Sequence, residues 1–405
     1  MRILLVNRTF WPEPVSAGII LSELAADLGR EHEVTVIAGP SPISNGNGRR
    51  GLFCREQLGR VEALRTWGTR FPRARLPGRL LNLGSYFVLA AVAGLRMVER
   101  PDVVIANTDP PLLGLLGAWL KRRHGCKFVY YCWDIYPDIA VATGGLKNRA
   151  LLRLLEYANR SAYASADRIV VLGRDMARRL EEKGVAPEKL AIIPQWVDCQ
   201  RFRTAVHEPL PFDPAGRFVL MYFGNFGLTQ PLETVLEAAE RLREDGRFLF
   251  VLIGEGVRKA ALESQARARR LSNVCFLPYP SVKSSARLLA AADLHIIPWQ
   301  RGLAGLQLPY KLYGILAAAR PFVALMEDHT EIAQLARSFK VGLVVAPGNV
   351  GELVRAIGQV AADPESFRLM GERGRRLAEQ KFDRKLVTRR FGDLLAELHD
   401  LSNCA

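Results

Sequence analysis

The chain has 405 residues, of which 49% are apolar and 24% are charged. This length supports about two domains, and this composition fits a soluble globular protein. The opening residues hold too few apolar side chains for a secretory signal, and the six cysteines show no spacing typical of a disulfide framework or a zinc site. A cytoplasmic protein is therefore expected. The formal net charge of +15 favours an anionic partner, but no DNA- or RNA-binding motif accompanies it, so nucleic acid is not the expected partner.

Short apolar segments alternate with amphipathic helical stretches along the chain. The predicted strands begin at Ile3, Val34, Val103, Phe128, Ile169 and Leu190, and then at Phe218, Phe248, Val274, Leu294, Phe322 and Gly342. Strands rich in Val and Ile between helices indicate parallel βαβ units. The sequence therefore predicts an α/β protein with two doubly wound, Rossmann-like domains that face a central cleft. The expected divisions are an N-terminal domain at 1–200, a Pro-rich linker at 201–216, a C-terminal domain at 217–380, and a final helix at 381–405 that packs back on the N-terminal domain.

Residues 70–98 combine a basic segment with an apolar helix. Four arginines occur between residues 70 and 79, and a helix is predicted from Leu80 to Val98. Its apolar residues recur at helical spacing, at Leu80, Leu83, Phe87, Ala91 and Leu95. Polar residues within it make a membrane span improbable, whereas the basic flank fits docking on an anionic membrane surface. The alternative is a core helix beside a solvated basic loop.

Two features mark a ligand-binding edge in the first half of the chain. Gly18 lies between the first strand and the first helix, where a glycine lets backbone approach a ligand closely. The strand that begins at Phe128 leads into Trp133 and Asp134. A carboxylate at the carboxyl end of a parallel strand can hydrogen-bond sugar hydroxyls or act as a base. The alternative role for Asp134 is a turn or helix cap.

Glycine-rich turns follow successive strands in the second half. The first contains Gly224, Asn225 and Gly227, and the next contains Gly254 and Gly256. A strand, a glycine-rich loop and a helix form an arrangement that can cradle phosphate. The following strand ends at Pro278-Tyr279, where backbone atoms could contact a base. Together these turns predict a nucleotide site in the second domain.

The segment from Leu308 to Ala324 passes from a loop into a helix and then into an apolar strand. Pro309 suits the first helical position. Free N–H groups at the start of a helix attract phosphate, and Lys311 adds a positive charge in the first turn. This segment predicts a seat for the diphosphate of a nucleotide, although an ordinary surface lysine is the alternative.

These segments together resemble the GT-B glycosyltransferases of family 4, a retaining group that builds bacterial polysaccharides. The similarity spans nearly the whole chain and is close to the colanic-acid and O-antigen sugar transferases. The segments that carry it are Trp133–Asp138, Ile193–Asp198, Tyr222–Gly227, Ile253–Gly256, Leu308–Ala317 and Glu331–Ala333.

The resemblance implies transfer of a sugar from a nucleotide diphosphate-sugar to a lipid-linked or polysaccharide acceptor. Asp134 and Lys311 would be catalytic, and Gly18 and Trp133 would lie on the acceptor side. The implied donor-binding residues are Gly224, Asn225, Gly227, Gln230, Gly254, Gly256, Arg258, Lys259, Pro278, Tyr279, Gln307, Leu308, Pro309, Tyr310 and Glu331. UDP or GDP would carry the sugar, with neither a metal nor another cofactor, on the inner face of the membrane.

The sequence departs from the family pattern at several positions. The two glutamates usual around the phosphate-binding helix are Leu306 and Gly314 here. The Arg and Lys usual in the first phosphate loop are Asn225 and Gln230, which leaves Lys311 as the main phosphate cation, with Arg258, Lys259 or Arg301 in support. The usual His before the aspartate is Trp133, and the usual Asn of the interdomain motif is Gln195.

Three other functions remain open from the sequence. A nucleotide-sugar-binding subunit without catalysis is one, because of the missing glutamates. A sugar-nucleotide epimerase is another, but its chemistry needs an acid/base pair and no clear pair exists beyond Asp134. A nucleic-acid-binding protein is suggested only by the net charge and would bind with a steep salt dependence.

Overall fold

A computed structural model describes residues 1–13, 15–40, 51–69, 71, 76–203 and 209–403. The chain divides into two compact units. The first comprises residues 1–194 together with 387–405, and the second comprises residues 195–386. The prediction of two Rossmann-like α/β domains is confirmed.

The first unit is built on an eight-stranded sheet. Its strands are β1 (Arg2–Val6), β2 (Glu33–Ala38), β3 (Phe53–Leu58), β4 (Val61–Thr66), β5 (Val103–Ala106), β6 (Lys127–Tyr131), β7 (Arg168–Val171) and β8 (Leu190–Ile192). Their order is β3-β4-β2-β1-β5-β6-β7-β8. The helices are α1 (Ser16–Leu28), α2 (Leu76–Arg96), α3 (Leu113–His124), α4 (Asp138–Ala142), α5 (Arg149–Ser165) and α6 (Arg174–Glu182). Every strand pair is parallel except β3–β4.

The second unit has a six-stranded sheet in the order β11-β10-β9-β12-β13-β14. Its strands are β9 (Phe218–Phe223), β10 (Phe248–Ile253), β11 (Val274–Leu277), β12 (Leu294–Pro298), β13 (Phe322–Leu325) and β14 (Gly342–Val345), all paired in parallel. Its helices are α7 (Gln200–Arg203), α8 (Glu233–Arg241), α9 (Lys259–Ala268), α10 (Val282–Ala290), α11 (Lys311–Ala317), α12 (Glu331–Phe339), α13 (Val350–Ala362) and α14 (Pro364–Leu377). A π-helical segment (Ala378–Phe382) precedes α15 (Arg384–Asn403). Every residue of β10 is buried, as expected for a parallel strand covered by helices on both faces.

The sequence missed the hairpin formed by β3 and β4. Charged residues such as Arg55, Glu56 and Glu62 interrupt its apolar pattern, because β3 lies at the edge of the sheet. Gly59 has a φ of +61° in the turn, a conformation that glycine adopts without steric cost. Edge strands expose one side to water, so they lack the continuous apolar signal of central strands.

Helix α2 begins earlier than predicted, and its fully buried residues are not those of the predicted apolar stripe, which is mostly partly buried. Tyr86, Ala90 and Ala93 are buried, and the hydroxyl of Tyr86 donates to the carbonyl oxygen of Ile37 at 3.0 Å. Of the predicted apolar stripe only Leu80 is exposed. The arginines at 70, 73 and 75 and the side chain of the arginine at 79, which belong to the predicted docking segment, lie outside the described residues. No helix in the part of the chain that the structure describes is long and apolar enough to cross a membrane.

Candidate functional site

The loops after β9, β10 and β11 meet at the carboxyl edge of the second sheet. These three strands are neighbours, so their carboxyl ends adjoin. The amide of Gly224 donates to the carbonyl of Ile253 at 3.0 Å, and the amide of Phe226 donates to the carbonyl of Glu255 at 2.8 Å. The amide of Gly254 in turn donates to the carbonyl of Leu277 at 3.0 Å. The glycine-rich turns therefore form one hydrogen-bonded layer.

Glycine is required in this layer by close backbone approach. A Cβ atom at Gly254 would lie 1.9 Å from the carbonyl oxygen of Gly224, and one at Gly256 would lie 2.5 Å from the carbonyl oxygen of Phe226. Neither position has room for any side chain. These glycines have a packing role in addition to the donor-binding role that the resemblance implies.

Lys311 lies directly beside this layer, as the first residue of α11. Its Nζ lies 3.9 Å from the centre of the Tyr222 ring, and 2.8 Å from the point where a Cβ of Gly224 would be. The Nζ is buried and has no hydrogen-bond partner among the described residues. Burial lowers the pKa of Lys311 from 10.5 to about 7.

A buried ammonium without a hydrogen-bonding partner is costly in a ligand-free protein. The face of the Tyr222 ring offsets part of that cost through a cation–π interaction. An anion bound next to Nζ would supply the missing hydrogen bonds and favour the charged form. Lys311 is therefore a side chain suited to receive phosphate, and an ordinary surface lysine is excluded.

Two amide side chains converge near Gly227 in the first glycine loop. A Cβ at Gly227 would lie 2.6 Å from Nδ2 of Asn225 and 2.9 Å from Oε1 of Gln230. Gln230 is buried, and its Nε2 donates to the hydroxyl of Thr229 at 2.7 Å. Its Oε1 has no hydrogen-bond partner within the described ranges. The first glycine loop, whose Gly224 lies beside Lys311, therefore presents neutral amide groups.

Two of the three predicted supporting cations are already paired with carboxylates, and the third, Arg301, is exposed in the loop after β12. Arg258 makes an ion pair with Glu233, in the first turn of α8. Lys259 makes one with Glu255 at 2.7 Å. Their positive charge is therefore partly neutralised, unlike that of Lys311.

Pro278 and Tyr279 follow β11 at the rim of the same loops. The Tyr279 side chain is 41% exposed, and its ring meets that of Phe223 at an angle of 61° with 6.1 Å between centroids. Burial raises the pKa of Tyr279 to about 12, so the phenol stays protonated at neutral pH. An aromatic ring that is held on one side and open on the other can stack against a base.

The loop before α11 differs from the prediction in one detail. The helix begins at Lys311 rather than at Pro309, and no side chain caps it. Gln307, Leu308 and Tyr310 lie in the preceding loop, where all three are partly buried. The structure thus places Lys311 itself, rather than Pro309, at the start of the helix.

Leu306 and Gly314 occupy the positions where the family usually has two glutamates, and both pack against neighbouring residues. Leu306 is 5% exposed, and its amide donates to the carbonyl of Leu303 at 3.1 Å. Gly314 lies inside α11, where a Cβ would approach Leu289 to 3.1 Å. Neither position offers a polar group to a sugar.

A carboxylate that the sequence did not reveal, that of Glu327, lies next to the loop after β12. Oε2 of Glu327 accepts a hydrogen bond of 2.9 Å from the amide of Gly302. Glu327 follows β13, close to Glu331, the first residue of α12. Only the adjacency of β12 and β13 brings it to the loop after β12, because the two segments are separate in sequence.

In the first unit, Asp134 lies just past the end of β6 and is partly buried. Its pKa is raised to about 7, first by burial and then by the negative charge of Asp109, and a hydrogen bond with Thr108 opposes the rise. A carboxyl group with a pKa near neutrality can exchange a proton with substrate. The structure thus gives Asp134 a raised pKa, and its catalytic role stays a prediction.

Asp109 is held by the segment that follows β1. The hydroxyl of Thr9 donates to its Oδ2 at 2.5 Å, and the Arg8 guanidinium lies 3.3 Å from its Oδ1. Because β1, β5 and β6 are neighbours in the sheet, the segments after them meet around Asp134. Sequence reasoning missed these residues, although polar triplets after the first and fifth strands were a usable signal.

The two predicted acceptor-side residues make contacts within the first unit. A Cβ at Gly18 would lie 2.5 Å from the carbonyl oxygen of Glu13, so the start of α1 requires glycine there. Trp133 is buried, and its ring packs edge-on against Tyr131 with 5.2 Å between centroids. Asp134, Trp133 and Gly18 belong to the first unit, whereas Lys311 and the predicted donor-binding residues belong to the second.

The chain is similar to known proteins along nearly its whole length. Residues 17–196 match the family described as glycosyl transferase 4-like domain, and residues 208–377 match glycosyl transferases group 1. The chain is 30% identical to the putative colanic acid biosynthesis glycosyl transferase WcaI of Escherichia coli, over 96% of this chain and 98% of the relative. It is 32% identical to the probable glycosyltransferase WbjE of Pseudomonas aeruginosa, over 72% and 74% respectively.

Solved structures show the same fold at low sequence identity. Sucrose-phosphate synthase of Thermosynechococcus elongatus superimposes with a TM-score of 0.76 at 16% identity, covering 99% of this chain and all of that one. Anabaena HepE in complex with UDP and glucose gives a TM-score of 0.73 at 15% identity, over 98% and 99% of the two chains.

Proposed function

Since the chain belongs to the glycosyltransferases, with a glycosyl transferase 4-like domain followed by a group 1 domain, we propose that it transfers a sugar from a nucleoside diphosphate-sugar to a lipid-linked or polysaccharide acceptor. The name of its relative in E. coli, a putative colanic acid biosynthesis glycosyl transferase, supports a role in cell-surface glycan biosynthesis. The enzyme works without a metal or further cofactor and retains the anomeric configuration. Its place of action is the cytoplasmic face of the membrane, where a lipid-linked acceptor is available.

The buried, unpartnered Nζ of Lys311 is the observation that carries the proposal. It lies against the glycine layer and over the Tyr222 ring, at the carboxyl edge where ligands of doubly wound sheets bind. The diphosphate of the donor is the anion that binds next to this Nζ in the proposal. The amides of Asn225 and Gln230 replace cations near the remaining phosphate oxygens.

In the proposed reaction, the bond between the anomeric carbon and the diphosphate breaks, and negative charge develops on the departing phosphate. Lys311 stabilises that charge most strongly in the transition state, which is the condition for accelerating the reaction. The acceptor hydroxyl attacks the same face of the sugar, and the leaving phosphate accepts its proton. Asp134 accepts a hydrogen bond from the acceptor hydroxyl and so orients it, while the proton itself passes to the leaving phosphate.

UDP and GDP are the proposed carriers of the sugar. Tyr279 provides an aromatic surface that either base can stack on. Anabaena HepE, which shares the fold, has been solved with UDP and with UDP and glucose, and this supports testing UDP first.

The first experiment is a thermal-shift screen of the purified protein against UDP, GDP, dTDP and CMP and their sugars. A ligand that binds the folded state must raise its apparent stability, so one nucleotide class should stand out. Turnover is then measured with that donor, with and without EDTA, and the product anomer is read by NMR. Donor binding without transfer to any glycan acceptor would favour a binding subunit instead, whereas loss of activity in EDTA or an inverted product would contradict the proposed mechanism.

A further inference from the structure

One layer of helices in the first unit leaves many large apolar side chains exposed. Helix α3 packs against both α2 and α5, so the three helices form a layer, and its outward side is called here the helix-layer surface. Its exposed apolar residues are Leu80, Leu81 and Val88 on α2, Trp119 on α3, and Leu151, Leu154 and Tyr157 on α5. Tyr157 is 72% exposed and Leu154 is 62% exposed. Soluble monomers rarely expose apolar residues in such numbers on one surface unless it binds a partner.

An apolar cavity extends this surface toward the β3–β4 hairpin. Its volume is about 440 Å³, and its lining includes Leu52, Trp67, Leu80, Leu81, Val88 and Leu89. Trp67 itself is 50% exposed. Tryptophan and tyrosine are the side chains typical of membrane–water interfaces, since their rings are apolar but carry one polar group.

The same helices carry a strong excess of positive charge. The ranges of α2, α3 and α5 contain eight Arg or Lys residues and a single acid, Glu156. Five of their arginines are exposed and make no ion pair with any described residue: Arg96, Arg122, Arg123, Arg149 and Arg153. Arg149 and Arg153 lie beside Leu151 and Leu154 at the start of α5, whereas Arg96, Arg122 and Arg123 lie at the C-terminal ends of α2 and α3. Exposed arginines on a surface with exposed apolar side chains match phosphate groups above hydrocarbon.

From this combination we propose that the helix-layer surface, with its adjoining cavity, docks on an anionic phospholipid bilayer. Leucines, Trp67, Trp119 and Tyr157 enter the interfacial zone, and the exposed arginines meet lipid phosphates. The surface differs from the docking segment expected from the sequence, since it includes α3 and α5. A second copy of the chain fits this surface less well, because a two-fold contact would bring its excess cations against identical cations.

The position of the helix-layer surface agrees with the proposed function. The biological purpose of membrane docking rests on that function. In a βαβ unit each helix runs back along the sheet, so its first turn lies at the carboxyl edge of the strands. Leu80 and Leu81 lie near the start of α2, and Leu151 and Leu154 near the start of α5. These residues are therefore at the same edge as Asp134, where a lipid-linked acceptor would have to arrive.

The test is cosedimentation of the full chain with vesicles of phosphatidylcholine alone or mixed equally with phosphatidylglycerol. Two variants remove features of the surface: L151Q/L154Q, and R149Q/R153Q. The matched control, L369Q/L386Q, changes two exposed leucines of the second unit. All changed residues are exposed, so folding should survive, and thermal unfolding and UDP binding are measured for each variant.

We expect binding to the anionic vesicles only. Each arginine near an anionic surface contributes about a fivefold gain in affinity, so R149Q/R153Q should bind about 25-fold more weakly. L151Q/L154Q should also bind weakly, and the control should bind like the parent. Equal vesicle binding by all variants overturns the proposal. The proposal is also overturned if the parent binds no vesicles but forms an oligomer that either surface variant converts to a monomer. Because UDP binding is read separately, its absence would count against the proposed function and not against this surface.

Discussion

Replacing Lys311 with methionine should make the ligand-free protein more stable and the donor complex weaker. The folded pKa of Lys311, about 7, lies below its ordinary value of 10.5. The unfolded chain therefore binds this proton more tightly, and stability rises with pH between about 7 and 10.5. At about 1.4 kcal/mol per pKa unit, the lowered pKa of Lys311 reduces the free energy of unfolding by up to about 4 kcal/mol at pH 7 and by about 2 kcal/mol at pH 9.

Methionine has a similar length and carries no charge, so K311M removes that penalty with little change in packing. Thermal unfolding without ligand should show the variant several degrees more stable at pH 7, with a smaller gain at pH 9. Calorimetry should show UDP binding weakened by about 10- to 100-fold, because a hydrogen bond to a charged group contributes about 1.5–3 kcal/mol. The opposite signs of the two effects identify a ligand-binding lysine.

The matched control is K381M. The ammonium of Lys381 also lies over an aromatic ring, that of Phe339 at 4.4 Å, but its side chain is exposed. Neither stability nor UDP binding should change by more than a few tenths of a kcal/mol. If K311M were less stable than the parent and bound UDP normally, Lys311 would be a structural residue and the reasoning would fail.

Four further predictions concern the glycine layer with Lys311 in the second unit and Asp134 in the first. Because bound diphosphate favours the charged form of Lys311, UDP affinity should fall up to about tenfold per pH unit above pH 7; calorimetry that gave a flat profile from pH 7 to 9 would argue against proton-linked binding. G254A places a Cβ 1.9 Å from a neighbouring carbonyl oxygen and should destabilise the protein by about 1–3 kcal/mol, measured by urea unfolding, whereas G246A, with open space around it, should be nearly neutral. D134N should reduce transfer by about 10²-fold or more with UDP binding intact, and an equal loss of both would indicate a structural role. If transfer needs ionised Asp134, the rate of transfer should decline below about pH 7. D109N removes a neighbouring negative charge and so lowers the pKa of Asp134, which should move the decline in rate to lower pH.

Much of the fold was readable because central parallel strands are buried on both faces. Apolar segments located twelve of the strands, including the parallel edge strands β8, β11 and β14, and the fold class and the family were predicted from them and from the motifs. The hairpin of Phe53–Leu58 and Val61–Thr66 escaped, because its charged edge strand has no such signal. The binding roles of the candidate residues stay predictions until ligands are tested.

By itself, the sequence determined which chemical groups follow which strands. It placed Lys311 after a loop, Asp134 after a buried strand, and glycines after two others. Only the tertiary structure decided what surrounds those groups. The order of strands in the first sheet brings Asp109 to Asp134, and packing against Tyr222 removes the Lys311 ammonium from water. A pKa depends on burial and on neighbouring charge, both of which arise from contacts between residues distant in sequence, so the proton affinities of the site could not be read along the chain.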